Sequence, residues 1–359
     1  MQPDDYLVTL MRKAEQTNAS DIHIVVGVPP AFRIDGEIIL ADAPPLSREE
    51  TARMTYGVLT EAQRRQLEET LELSFSIQNC RHGRFRVTVY FHGGNPEMAL
   101  RRCNTEIPGR EELGLPEVTE DLARRHTGLV LITGPTGMGK TTTMNLMIDL
   151  INSERRCKIV TIEDPIEFVH RRKKAIIVQQ EVRTDTRSFA RALVHVLRQD
   201  PDVICVGEMR DLETIATALT AAETGHLVIA TLHTSSAMQT VERIVDVFPP
   251  GQQNQVITQM ANCLEGVIAQ LLLPRADGKG RLLATEVLIV NTAVRAIIRD
   301  NNLPQLTNVM QTSRRAGMQT MDECLRRLYE AAVISYDTAV SHARAAGAVK
   351  KEMPAAPFA

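Results

Sequence analysis

The chain has 359 residues, 43% hydrophobic and 24% charged, an ordinary globular composition with length for two domains and a large core. Its net charge of −3 argues against non-specific nucleic-acid binding, and no apolar run approaches the ~18 residues that a membrane span needs. The start, Met1-Gln-Pro-Asp-Asp5, has neither a basic flank nor an apolar stretch and does not read as a signal peptide.

Residues 3–18 carry Tyr6, Leu7, Leu10, Met11 and Ala14 at helical spacing, which predicts an amphipathic helix. Ile22, Ile24 and Val26 alternate as a strand, with Asp21 and His23 expected as a surface pair at its edge. Phe32 to Leu40 contains an Asp35-Gly36 hairpin turn. Residues 47–70 read as helical from the N-cap Ser47, with Glu50 completing a capping box. Strands are expected around Leu73–Ile77, Arg84–Phe91 and Glu97–Cys103. In the middle one Phe85, Val87, Val89 and Phe91 share a face, so Arg84 and Arg86 project from the other. Residues 1–112 are therefore expected to form a small α+β domain, followed by a linker over 113–127 that Gly114-Leu-Pro116 punctuates.

From Gly128 the pattern changes to apolar strands alternating with helices. The run Gly128-Leu-Val-Leu-Ile-Thr133 enters Gly134-Pro135-Thr136-Gly137-Met138-Gly139-Lys140-Thr141, a complete G-x-x-x-x-G-K-[ST] phosphate-binding loop, and Thr142 begins the helical pattern after it. Glycines let backbone N–H groups curl around phosphate oxygens, and the helix N-terminus adds partial positive charge. Lys140 would reach the β- and γ-phosphates of ATP, and the Thr141 hydroxyl would hold Mg²⁺. Further strands are expected at Ile159–Ile162, Val203–Val206 and Leu227–Leu232, with helices at 141–152, 188–199 and 211–223, the last capped by Asp211. The alternation predicts a mostly parallel sheet covered on both faces. Beyond Pro250 the pattern reads as nearly all helical apart from Leu282–Val290, and residues 350–359 read as a disordered tail.

Ligands of such sheets sit beyond the carboxyl ends of the strands. Those ends carry Glu163-Asp164, with Glu167 close behind, then Glu208 and His233. Around a triphosphate and Mg²⁺, one carboxylate would polarise water, Glu208 would support the metal's aqueous shell, and His233 would sense the γ-phosphate. Helix capping competes for Asp164 and Glu167. His226 stands seven residues before His233, roughly 23 Å of strand away, so the two cannot share one metal ion, and its role is open between structural and functional. The run His170-Arg-Arg-Lys-Lys174 reads as a solvated face. The six cysteines include no C-x-x-C pair, and several lie in apolar runs, which points to reduced core thiols and a cytoplasmic setting.

The motifs GPTGMGKT (134–141), TIEDPIEF (161–168), RQDPDVICVGEMRD (198–211) and TGHLVIATLHT (224–234), in this order, resemble the PilT/PilU-type retraction motors of type IV pili, in the secretion/pilus ATPase superfamily. The likeness runs over nearly residues 20–345. It implies a PAS-like N-terminal domain and a RecA-like ATPase domain over 128–349, assembled as a hexameric ring on an inner-membrane platform protein at the cytoplasmic face. It implies Glu163 as the catalytic base, Glu208 as the Walker B glutamate, and His226 and His233 as a histidine box. It also matches Arg86 and Arg101 to arginines that reach the nucleotide. The family's A-I-R-N-L-I-R-E motif stands here as Ala293-Val-Arg-Ala-Ile-Ile-Arg-Asp300, so both a main motor and an accessory ring acting with a paralogous retraction ATPase fit. Extension and type II secretion relatives usually carry a tetracysteine zinc module, so its lack favours the retraction branch over the further alternative, a DNA-handling or secretion ATPase of the same superfamily.

Overall fold

The computed structural model describes residues 4–34, 37–79, 83–103, 106–278, 280–345 and 347–350. The expected Asp35-Gly36 turn, Cys80 and residues 351–359 of the tail lie outside them. The chain divides into two compact units, Met1–Glu106 with Pro165–Val169, and Ile107–Asp164 with His170–Ala359.

The first unit comprises α1 (Asp5–Gln16), β1 (Asp21–Ile24), β2 (Ala31–Ile34), β3 (Glu37–Leu40), α2 (Arg48–Gly57), α3 (Glu61–Thr70), β4 (Glu72–Asn79), β5 (Gly83–His92) and β6 (Asn95–Arg102). Its strands form one antiparallel sheet in the order β3-β2-β1-β6-β5-β4. Phe85, Val87 and Val89 of β5 are fully buried, as the alternation predicts, in a core shared with Leu7 and Met11 of α1 and Met54 of α2. The helical stretch 47–70 is two helices, because Thr60 and Gln63 form a second capping box that starts α3 afresh. Asp21 and His23 are not a surface pair: Asp21 is 7% exposed, and Nε2 of His23 is buried.

The second unit runs through α4 (Arg110–Leu113), α5 (Val118–Ala123), β7 (Gly128–Thr133), α6 (Lys140–Glu154), β8 (Lys158–Glu163), β9 (Ile176–Glu181), α7 (Phe189–Val196), β10 (Val203–Val206), α8 (Leu212–Glu223), β11 (Leu227–Leu232), α9 (Ala237–Asp246), α10 (Pro250–Cys263), β12 (Leu264–Pro274), β13 (Arg281–Ile289), α11 (Thr292–Arg299), α12 (Gln305–Thr312), α13 (Met321–Glu330) and α14 (Tyr336–His342). Its seven-stranded sheet has the order β13-β12-β7-β11-β10-β8-β9, parallel except for β13. Both faces are buried, which is why its central strands are unbroken apolar runs. Leu129 and Leu131 of β7 join the core beneath α7 to α11, whereas Val130 and Ile132 pack toward α5 and α6.

Two strands depart from the expectation. The stretch after Pro250 is not nearly all helical, since Leu264–Pro274 forms β12 directly after α10. Ile176–Glu181 forms the edge strand β9. Among the described residues Cys157, Cys205, Cys263 and Cys324 are free thiols, and all of the cysteines but Cys157 are buried. No helix among them is long and apolar enough to cross a membrane.

Candidate functional site

The phosphate-binding motif bends where its glycines allow. Gly134, Gly137 and Gly139 have φ of +143°, +79° and +80°, values that side-chain-bearing residues rarely adopt. At Gly134 a Cβ would stand 2.4 Å from the carbonyl oxygen of Gln270. The loop therefore rests on β12, the strand that sequence periodicity did not reveal. The Leu272 backbone N–H donates to the Met138 sulfur at 3.1 Å, and Gln270 donates to Thr143 of α6 at 2.7 Å. Gly139 is the N-cap of α6, so the amides that open this helix belong to the loop.

Lys140 is 8% exposed, and its ammonium donates to the carbonyl oxygens of Gly134 and Pro135 at 2.7 and 2.9 Å. Burial holds its pKa below the ordinary lysine value, with Glu208 acting in the opposite sense. Nζ also lies 3.4 Å from His233 Nδ1, and His233 Nε2 lies 2.7 Å from Glu208 Oε1. One tautomer satisfies both: Nδ1 accepts from Lys140 and Nε2–H donates to Glu208. Arg210 grips the same carboxylate with two donors, one of them to Oε2 at 2.7 Å. Burial by itself would raise the Glu208 carboxyl, but Arg210 and His233 outweigh it and hold the group below the usual glutamate range. Glu208, Arg210 and His233 open onto a cavity of about 720 Å³ that Pro135, Thr136, Thr234 and Arg243 also line.

Glu163 ends β8 next to the end of β10. Gly207 N–H bonds the Ile162 carbonyl at 2.8 Å, and a Cβ on Gly207 would come within 3.3 Å of the Glu163 Cα. Glu163 is 2% exposed and accepts from the Thr161 hydroxyl at 2.6 Å and from Gln179 Nε2 at 3.1 Å. Thr141 and Thr142 occupy the first turn of α6. Asp164 and Glu167 cap no helix; Asp164 meets Arg183 at 3.3 Å, and Glu167 is exposed.

His226 is not brought to this site. It precedes β11, at the end opposite His233, and its Nδ1 lies 3.0 Å from the Ala221 carbonyl of α8. Arg86 and Arg101 belong to the first unit and stand directly opposite each other across β5 and β6. Arg101 bonds Asp21 at 2.8 Å. His170 is not solvated like the rest of its basic run: Nε2 lies 2.7 Å from Asn145 Oδ1. Arg210, His170, Asn145, Gln179 and Gln270 are polar partners that sequence reasoning gave no role. Arg210 left a trace two residues after Glu208 within a quoted motif, and His170 only as the head of a basic run read as solvated.

The glycine-lined cradle fits a polyphosphate. The Thr141 hydroxyl and the ionised Glu208 are hard oxygen donors that could hold Mg²⁺. Among the described residues no cluster of three or more His, Cys, Asp or Glu could itself hold a metal, so this ion would take its remaining ligands from phosphate and water.

The family model described as type II/IV secretion system protein matches residues 4–352. The chain is 42% identical to the type IV pilus retraction ATPase PilT of Pseudomonas aeruginosa, over 94% of its own length and 98% of that protein's. It is 41% identical to the type IV pilus ATPase PilU of the same organism, over 94% and 88%. A crystal structure of the pilus retraction motor PilT with bound ADP superposes with a TM-score of 0.87 at 48% identity, covering 93% of this chain and 96% of that one.

Proposed function

This chain belongs to the type II/IV secretion system protein family, and we propose that within it the protein is the motor that retracts type IV pili. Its chemistry is ATP hydrolysis. The reading extends to a hexameric ring in the cytoplasm, seated on an inner-membrane platform protein, with PAS-like and RecA-like domains as its two units.

One observation carries the chemistry. Lys140, His233 and Glu208 form a continuous polar chain at the carboxyl ends of parallel strands, beside a backbone cradle that only glycine can form. Lys140 would exchange the Gly134 and Pro135 carbonyls for phosphate oxygens, which suits a buried cation better than neutral acceptors. His233 would relay the state of the γ-phosphate to Glu208 through the Nε2 contact. Glu163, with its carboxylate oriented by Thr161 and Gln179, would accept the proton of the attacking water. Mg²⁺, when bound by Thr141 and water held near Glu208, would neutralise charge developing on the phosphate oxygens.

The test is a clean deletion scored for surface pili and surface motility. Hyperpiliated, immobile cells are the expected result. Bald cells would mean extension, and unchanged motility lost only in a sensitised background would mean an accessory ring, the reading that the 41% identity to PilU keeps in play.

A further inference from the structure

A second polar chain links the phosphate loop's helix to the end of β8. Asn145 Nδ2 donates to the Thr141 carbonyl at 2.8 Å, and Asn145 Oδ1 accepts from His170 Nε2–H at 2.7 Å. The His170 backbone N–H donates to Gln179 Oε1 at 3.0 Å. Gln179 Nε2 in turn donates to Glu163 Oε1 at 3.1 Å, the oxygen that also accepts from Thr161. Both amides use their oxygen and their nitrogen, so flipping either would break two bonds. Asn145 is fully buried, so a bond lost there leaves a desolvated polar group. Burial pushes the His170 pKa down to about 4, so its ring carries one proton, and the Asn145 oxygen facing Nε2 assigns that proton to Nε2.

We propose that Gln179 is a positioning residue for Glu163, and that His170 and Asn145 extend its hold to the first turn of α6, so that carboxylate and phosphate loop keep one mutual geometry. The inference rests on Glu163 being the catalytic base. Glu163 lies at a strand end, where one torsion swings its carboxylate, and a displacement of about 1 Å from the attack geometry costs on the order of 100-fold in rate. Two donors on one oxygen fix that torsion.

A purely structural Gln179, serving only to anchor the His170 backbone, makes a different prediction, and Gln179→Glu separates the two. The substitution keeps the length and the acceptor for the His170 N–H but replaces the donor toward Glu163 with a like charge. Steady-state hydrolysis, ADP affinity and melting temperature are measured for Gln179→Glu, Gln179→Leu and Glu163→Gln in the full chain. Both Gln179 variants should lose about 10- to 100-fold in kcat with ADP affinity within about twofold of the parent. Parental kcat in Gln179→Glu, or a loss confined to ADP affinity, overturns the positioning role while Glu163→Gln stays inactive. Parental kcat in Glu163→Gln overturns the base assignment and the inference with it. If Gln179→Glu does not fold, the uncharged Gln179→Leu carries the comparison, and parental turnover there overturns the proposal.

Discussion

Glu208 shows how much of the chemistry lies in single contacts. Arg210 and His233 keep its carboxylate ionised against the cost of burial. Its removal would leave Lys140 and the glycine cradle in place, because Lys140 is held by loop carbonyls as well as by His233. Glu208→Ala is therefore expected to lose at least about 100-fold in kcat while ADP affinity falls little. A variant that hydrolyses ATP at the parental rate removes Glu208 from the mechanism. His170 gives a pH-dependent expectation. Its folded-state pKa of about 4 lies below the ordinary 6.5, so below pH 6.5 the unfolded chain takes up a proton that the folded chain refuses. Stability must then decline as pH falls from about 6.5 toward about 4. His170→Gln, which keeps a donor toward Asn145, should flatten this decline in urea unfolding compared at pH 7.5 and pH 5. Equal losses in both proteins would mean that the imidazole is not held neutral.

At the scale of elements, β12 decides whether the cradle stands. It backs Gly134 and Met138 on one side of its length and meets α5 at Gly266, where a Cβ would lie 2.8 Å from Leu122 and 3.1 Å from the Leu288 carbonyl. Gly266→Ala should lower stability by about 1–3 kcal/mol, read as a lower melting temperature with a weaker ADP affinity, because backbone and a packed leucine must shift. An unchanged melting temperature would show that α5 yields freely. The strands β7, β8, β10 and β11 were legible because burial on both faces makes them unbroken apolar runs. β12 was not, since an apolar run that continues a helix without a break carries no period of its own. β9 was masked by its place at the sheet edge, where Ile176 is 53% exposed and glutamines follow the valine. The site divides in the same way. Lys140, Glu163, Glu208 and His233 could be read from strand ends, whereas Gln179, His170 and Asn145 matter only through tertiary hydrogen bonds that no local pattern encodes.

At the scale of the whole molecule, the expectation to test is that arginines of the first unit serve the ATP hydrolysis proposed for the second. Arg86 and Arg101 face each other across neighbouring strands, an arrangement of like charge that costs rather than adds stability. Asp21 accepts from Arg101 at 2.8 Å and from the Ser20 hydroxyl at 2.8 Å, and the Arg101 side chain remains 68% exposed. Removing both arginines would relieve this repulsion but also take the cation from the largely buried Asp21 carboxylate, so the melting temperature should fall rather than rise. An arginine delivered from a separate lobe to developing phosphoryl charge would instead be worth orders of magnitude in rate and would couple hydrolysis to domain movement. Arg86→Ala with Arg101→Ala is expected to cut ATP hydrolysis by the assembled protein at least about 100-fold, with ADP affinity retained. Single substitutions assayed beside the double one would show which arginine bears the effect. Parental hydrolysis in the double variant would confine the chemistry to the strand ends of the second unit and leave the contact of Arg101 with the buried Asp21 a structural one.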